Sequence, residues 1–254
     1  MRLGRRMAGV VAGLGLALLA VLPAGVARAN GPEIGFSVGG VVPLASTRVQ
    51  LVSEFVRVPV EGGRVSCHYT LRNLSGEPVT ITMGFITNNP WPDDPGRYTP
   101  YFRETGFAVR ARQPLTWRLA GVDPARWAPF LRQAPDSLPV WEVSFGPHEE
   151  MPLHVSYQAT PDGGCDGSHC GSSMTYFAKS AQAWAGPVEY AEVRFEFGAM
   201  ARLYRAAAGA TPPPYRLRTS PTASREHSWG IVWEYRDWEP DTDFTVSFDW
   251  SEPD

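Results

Sequence analysis

Two observations predict an all-β protein built as an antiparallel β-sandwich. Apolar residues recur at every second position over short runs: Val65, Cys67, Tyr69 and Leu71 alternate with Ser66, His68, Thr70 and Arg72, the period of a strand with one dry face. Glycine and proline make up 49 of the 254 residues and fall between such runs, where turns need positive φ or a preset φ. Charged residues are 19% of the chain, below the usual share of about 25%.

Arg2, Arg5 and Arg6 precede an uncharged, mostly apolar run from Met7 to Ala27, and Ala27-Arg28-Ala29 offers small residues at the two positions a signal peptidase inspects. Residues 1–29 are therefore expected to be a signal peptide, cleaved between Ala29 and Asn30, with an extracytoplasmic mature chain (periplasmic, secreted or cell-surface). The competing reading is an uncleaved membrane anchor, since a run of that length nearly spans a bilayer. Cleavage removes four arginines and no acid, which moves the formal charge from −3 to −7. An acidic surface argues against a nucleic-acid partner, which needs a basic footprint. Lys179 is the only lysine, a bias that reflects codon usage more readily than a binding site.

The mature length of about 225 residues exceeds the ~100 of one immunoglobulin-sized sandwich. Two sandwich units are expected, residues 30–160 and 161–254, with one enlarged sandwich as the alternative.

In chain order, Ile34, Phe36 and Val38 lead to Gly39-Gly40 as an edge strand or arm. A meander of strands then runs from Val49 to Phe85. Its first strand changes phase near Ser53-Glu54, which a bulge would explain, and Glu61-Gly62-Gly63 and Asn73–Glu77 are turns. Pro90, Pro92 and Pro95 rule out a central strand, leaving a loop with Trp91 at its tip. Strand character returns over residues 101–119. Asp123-Pro124 is an N-cap followed by proline at the first helical position, and Trp127, Phe130 and Leu131 continue a short helix over 123–133. Val140–Phe145 and Met151–Tyr157 read as a hairpin about Gly146-Pro147-His148. The Gly-, Ser- and Asp-rich stretch 161–173 is read as the loop between units. A strand with Ala191, Val193, Phe195 and Phe197 facing in follows, then a helical turn within 199–208 and a stiff Pro212–Pro214 linker. Two closing strands, Trp229–Tyr235 and Phe244–Trp250, flank an acidic turn.

Cys165 and Cys170 are expected to form a disulfide, because exported cysteines close in sequence usually pair. A metal site using Cys165, His169 and Cys170, completed by Asp162 or Asp166, is a weaker reading, since the spacing matches no standard zinc motif; redox exchange is weaker still. Cys67 points inward with Val65 and Tyr69 and reads as an inert apolar thiol; His68 lies on the opposite face, so the two cannot act as a catalytic pair. Asp237, Glu239, Asp241 and Asp243 have a calcium-loop rhythm but lack its glycine and distal glutamate. Glu149-Glu150 and Asp93-Asp94 are adjacent, not the separated pair of a glycosidase. Trp229 and Trp233 read as core, while Trp91, with Asp93 and Asp94 beside it, is the candidate binding loop. Ser-His-Asp elbow, phosphate-loop and zincin motifs are missing from the sequence.

Taken together, Gly39-Gly40, Tyr69-Thr70-Leu71-Arg72-Asn73-Leu74-Ser75, the Trp141-to-Tyr157 segment, Trp184-Ala185-Gly186-Pro187-Val188 and Trp238-Glu239-Pro240-Asp241 resemble exported bacterial proteins grouped under a domain of unknown function, the 4424 group. The resemblance implies export and an all-β build and brings no activity with it. The resemblance carries no function across the helix around Trp127 or the Cys165–Cys170 loop.

The function expected is that of an exported, non-enzymatic β-sandwich protein with a binding or structural role in the cell envelope or extracellular space. Its partner is an unknown protein or glycan, with no cofactor, and it meets a membrane only if the N-terminal segment stays uncleaved. The alternative is a carbohydrate-active enzyme or carbohydrate-binding module using carboxylates and exposed tryptophan. A metal-dependent binding module is third.

Overall fold

The computed structural model describes residues 38–45, 47–87, 105–131, 134–166, 169–199 and 215–251. A seven-stranded sheet runs, edge to edge, through Arg225–His227 (β13), Gly230–Trp238 (β14), Val188–Glu196 (β11), Val49–Pro59 (β2), Gly63–Asn73 (β3), Glu150–Ala159 (β8) and Ala108–Arg110 (β5). Its neighbours are antiparallel except β11 and β2, which are parallel. A four-stranded sheet takes Gly40–Pro43 (β1), Val79–Ile86 (β4), Ser137–Phe145 (β7) and Arg118–Gly121 (β6) in that order. A second takes Tyr215–Ser220 (β12), Phe244–Ser251 (β15), His169–Tyr176 (β10) and Asp162–Asp166 (β9). Val38 joins the two small sheets: it bridges Tyr176 in parallel, its N–H donates to Thr175 O at 2.7 Å, and its carbonyl accepts from Phe177 N at 3.0 Å.

Both small sheets cover one face of the large sheet, and the buried apolar residues of all three form one cluster. Rings meet across the layers: Phe85 lies 5.0 Å from Tyr157, and Trp233 lies 5.2 Å from Phe244. This is the all-β sandwich expected. The alternation read from sequence places Val65, Cys67, Tyr69 and Leu71, and likewise Ala191, Val193, Phe195 and Phe197, in that core.

The strands do not segregate at residue 160. β2, β3, β5 and β8 precede that point and β11, β13 and β14 follow it, yet all seven share one sheet. Stretch 161–173 is no connecting loop; most of it is the β9–β10 pair.

Adjacent strands also connect differently from the expectation. β3 pairs with β2 and β8, whereas β4 pairs with β1 and β7, so the chain leaves the large sheet at Asn73. β7 and β8 likewise belong to different sheets, so 146–149 is an arch between layers and not a hairpin turn. The two crossings are tied together: Asn73 N donates to Glu149 O at 3.0 Å and His148 N to Ser75 O at 3.0 Å. His148 takes φ of 52° to make the crossing. β14 and β15 form a third arch. Period-2 alternation reports a dry face and is the same for a hairpin and an arch, which is why the sequence pattern read as a meander and a hairpin.

The helix (α1) is Pro124–Trp127, shorter than 123–133. Asp123 caps it, accepting from Ala125 N at 2.9 Å. Trp127 and Leu131 then drop into a small apolar cluster with Val42, Ile86, Leu138, Val140 and Phe177, so packing, not helix length, fixes this segment.

Candidate functional site

The residues nominated from sequence fall unevenly. Trp91, Asp93 and Asp94 lie outside the described residues, as does the 1–29 segment with its Ala29–Asn30 junction. Cys165 and Cys170 are register partners across the β9–β10 pair, and His169 lies opposite Asp166; nothing further is described of those side chains. Among the described residues there is no group of three or more metal-ligating side chains. Cys67 is buried and unpaired, and burial pushes its thiol up to about 12, as an inert core residue requires. Trp233 is buried, but Trp229 is not on strand β14: it is half-buried before it, stacked on His227 at 4.8 Å with Arg194 over its ring at 5.8 Å.

The strongest constellation lies on the face of the large sheet turned away from the core. The bulge between Leu51 and Ser53 creates it. One extra residue keeps Val56 and Val58 inward, turning Glu54 into the core and Phe55 out. Phe55 is 40% exposed at the middle of the sheet, 5.2 Å from Tyr190. Register then lines up one row across six strands: Glu234, Glu192, Phe55, His68, His154 and Arg110. The two imidazoles stack at 4.4 Å, and Ser66 Oγ lies 3.0 Å from His154 Nε2 and 3.2 Å from His68 Nε2. Burial, then the neighbouring His68, Arg110 and Arg64, hold the His154 imidazole below its ordinary range.

Charge on this face is arranged unevenly. Glu192 is held by Arg194 at 2.5 Å and Glu234 by Arg225 at 2.5 Å. Arg57 makes a two-pronged pair with Glu196 at 2.8 and 2.9 Å, and Arg72 sits between Glu150 and Glu189. Among the described residues, Arg64 and Arg110 have no carboxylate partner; Arg64 donates to Ser156 Oγ at 2.7 Å.

Beneath the face, Glu54 is buried and accepts from Tyr176 Oη. Its Oε2 and the nearby Tyr69 Oη have no hydrogen-bond partner among the described residues. Burial pushes the Glu54 carboxyl up to about 7 despite the Tyr176 bond. A phase shift in the sequence of β2 was the only signal for this buried acid.

A separate groove of about 810 Å³ runs beside β4, lined by Leu44, Thr47, Arg48, Glu77 and Thr82 among others. None of its lining residues carries an aromatic ring, so it offers a ligand less than the sheet face does.

Neither a family model nor a curated protein sequence matches the chain. Among solved structures it is similar to a protein of Legionella pneumophila subsp. pneumophila str. Philadelphia 1, provisionally described as a nutrient-binding protein. That likeness has a TM-score of 0.59 and 14% identity, over 84% of this chain and 72% of the other, and it shows a shared fold. Two crystal structures of M1 zinc metallopeptidases, one bound to L-tryptophan and one from Deinococcus radiodurans bound to a Tyr-Ser-Ala substrate, reach TM-scores of 0.26 and 0.24. They have 11% and 10% identity, over 85% and 84% of this chain but 43% and 42% of theirs; likeness at that level carries no argument.

Proposed function

We propose that this chain is an exported binding protein that is not an enzyme, and that the solvent face of its seven-stranded sheet around Phe55 is the ligand seat. One observation carries the reading: an exposed aromatic ring at the centre of a rigid sheet, in register with two stacked imidazoles. A single exposed apolar side chain needs no explanation. One continuous with Tyr190 on one side and His68 and His154 on the other is a platform on which a ring or planar group can lie. Glu192 and Glu234, the carboxylates nearest it in the row, are neutralised by arginines and poorly placed to act as a glycosidase pair. The fold shared with a protein described as nutrient-binding accords with a binding role.

Export rests on the arginine-led apolar segment, cleaved between Ala29 and Asn30. The Cys165–Cys170 disulfide belongs to the same proposal: directly opposed residues of an antiparallel pair have Cα atoms about 4.5–5.5 Å apart, within disulfide reach. Intact mass of the exported protein, with and without reductant, tests both. A mass beginning at Asn30 that rises by two hydrogens on reduction is expected; retention of residues 1–29 would overturn export by cleavage. The seat is tested by a thermal-shift screen of ring-bearing small molecules. Hits should stabilise the wild type and lose that effect in Phe55→Ala, each measured against its own unliganded baseline, since loss of the half-covered ring and its Tyr190 contact should itself cost about 1–2 kcal/mol. Hits indifferent to Phe55→Ala would place the ligand elsewhere.

A further inference from the structure

Resting on the reading of this face as a ligand seat, we propose that its β3–β8–β5 end is an oxyanion site, taking the carboxylate or phosphate of a small molecule whose ring lies on Phe55. Four side chains able to carry positive charge lie at that end: His68, His154 and Arg110 share one row, and Arg64, four positions back along β3, reaches toward them through its hydrogen bond to Ser156, the residue opposite Ser66. Five other arginines on this sheet, at positions 57, 72, 194, 225 and 236, lie within 4.0 Å of a glutamate. Arg64 and Arg110 are the exceptions among the described residues of the face.

The departure is notable in a chain whose formal charge is negative, where matched pairs would be easy to supply. Unmatched guanidiniums beside two imidazoles repel one another, and an oxyanion relieves that repulsion while accepting from the guanidinium forks. Ser66 Oγ faces both Nε2 atoms, so when each imidazole carries its proton on Nε2 and donates to Oγ, the Ser66 hydroxyl is free to donate to the oxyanion. Phe55 is one strand away from His68, about 4.8 Å, so a ring on Phe55 and an anion at Ser66 belong to one molecule of modest size. The same imidazole pair facing a common oxygen has the outline of half a metal site. The two guanidiniums disfavour a cation there, and no carboxylate among the described residues joins it.

Calorimetric titration of the exported chain with phenyl phosphate, benzoate, inorganic phosphate and phenol tests the proposal. Phenyl phosphate and benzoate should bind, more weakly at high salt because the contacts are partly exposed. The double variant Arg64→Gln/Arg110→Gln should lose at least tenfold in affinity, while Arg64→Lys/Arg110→Lys, which keeps the charge, should retain part of it. Bound phenyl phosphate should also raise the pKa of His154 read by NMR, since an anion favours the imidazolium; a merely structural arginine pair would not give this effect. Phenol binding as well as phenyl phosphate, unchanged in the glutamine double variant, would overturn the oxyanion site and leave the seat standing. Inorganic phosphate and phenyl phosphate binding equally, both lost in the double variant and both indifferent to Phe55→Ala, would support the oxyanion site and remove the Phe55 seat. No binding by any of the four probes would overturn both.

Discussion

Glu54 is a buried acid on the large sheet, 1% exposed. A carboxylate taken into an apolar core loses its hydration and is tolerated chiefly by holding a proton, and its environment raises it from 4.5 to about 7. A folded-state pKa above the unfolded one means the native state binds the proton more tightly. The stability from this group is therefore full below about pH 4.5 and is lost as pH rises through about 7. The shift corresponds to about 3 kcal/mol. Glu54→Gln removes the titration, so chemical denaturation should show the variant gaining about 3 kcal/mol on wild type between pH 4.5 and pH 8. A difference that stays flat or falls over that range would show the acid to be solvated. Phe55 is the other product of the same bulge, and its exposure was illegible in the sequence. The phase change at Ser53-Glu54 signals a bulge but does not say which residue of Glu54 and Phe55 turns outward; packing of Val56 and Val58 decides that.

The arches decide how strands become layers. Asn73 is buried and all of its side-chain capacity is used: Nδ2 donates to Glu77 O at 2.7 Å and Gly146 O at 2.9 Å, and Oδ1 accepts from Ser75 N at 2.9 Å and Ser75 Oγ at 2.8 Å. It thus pins both crossings, 73–77 and 146–149, at one point. Asn73→Ala should cost on the order of 2–4 kcal/mol by leaving buried partners unpaired. Asn73→Asp matches the shape but sets a carboxylate against two carbonyl oxygens, so it should be at least as damaging in a urea melt. An Asp variant as stable as wild type would mean the arch does not depend on those donors. Strand content and inward faces were legible from alternation at Val65–Leu71 and Ala191–Phe197. Pairing was not, because the hydrogen bonds that send β4 to β7 and β3 to β8 run through backbone and a single asparagine. Helix α1 was legible at its start, from Asp123-Pro124, and not at its end, where Trp127 and Leu131 follow the cluster they fill.

The seven-stranded sheet crosses the 160/161 point expected to divide the chain, with β11 in full register on β2 from Tyr190 to Glu196. Local turn chemistry around Gly163, Gly164 and Gly167 suggested a boundary, but a parallel pairing between residues some 140 apart leaves no trace in a local pattern. A shared sheet and a shared core should unfold together. Far-ultraviolet circular dichroism and tryptophan fluorescence of the exported chain should therefore report one coincident denaturant transition, whereas two separated transitions would show independent units. The proposed site is a whole-molecule property for the same reason: Glu192 from the late half and His68, His154 and Arg110 from the early half reach one row only because that sheet is continuous. Its individual residues looked like ordinary strand exteriors in the sequence. The most direct test of the ligand seat is backbone and histidine NMR of the exported chain titrated with phenyl phosphate. Shifts concentrated at Phe55, Ser66, His68, His154 and Arg110 are expected; shifts concentrated on residues 88–104, around Trp91, with the sheet face unmoved, would contradict it.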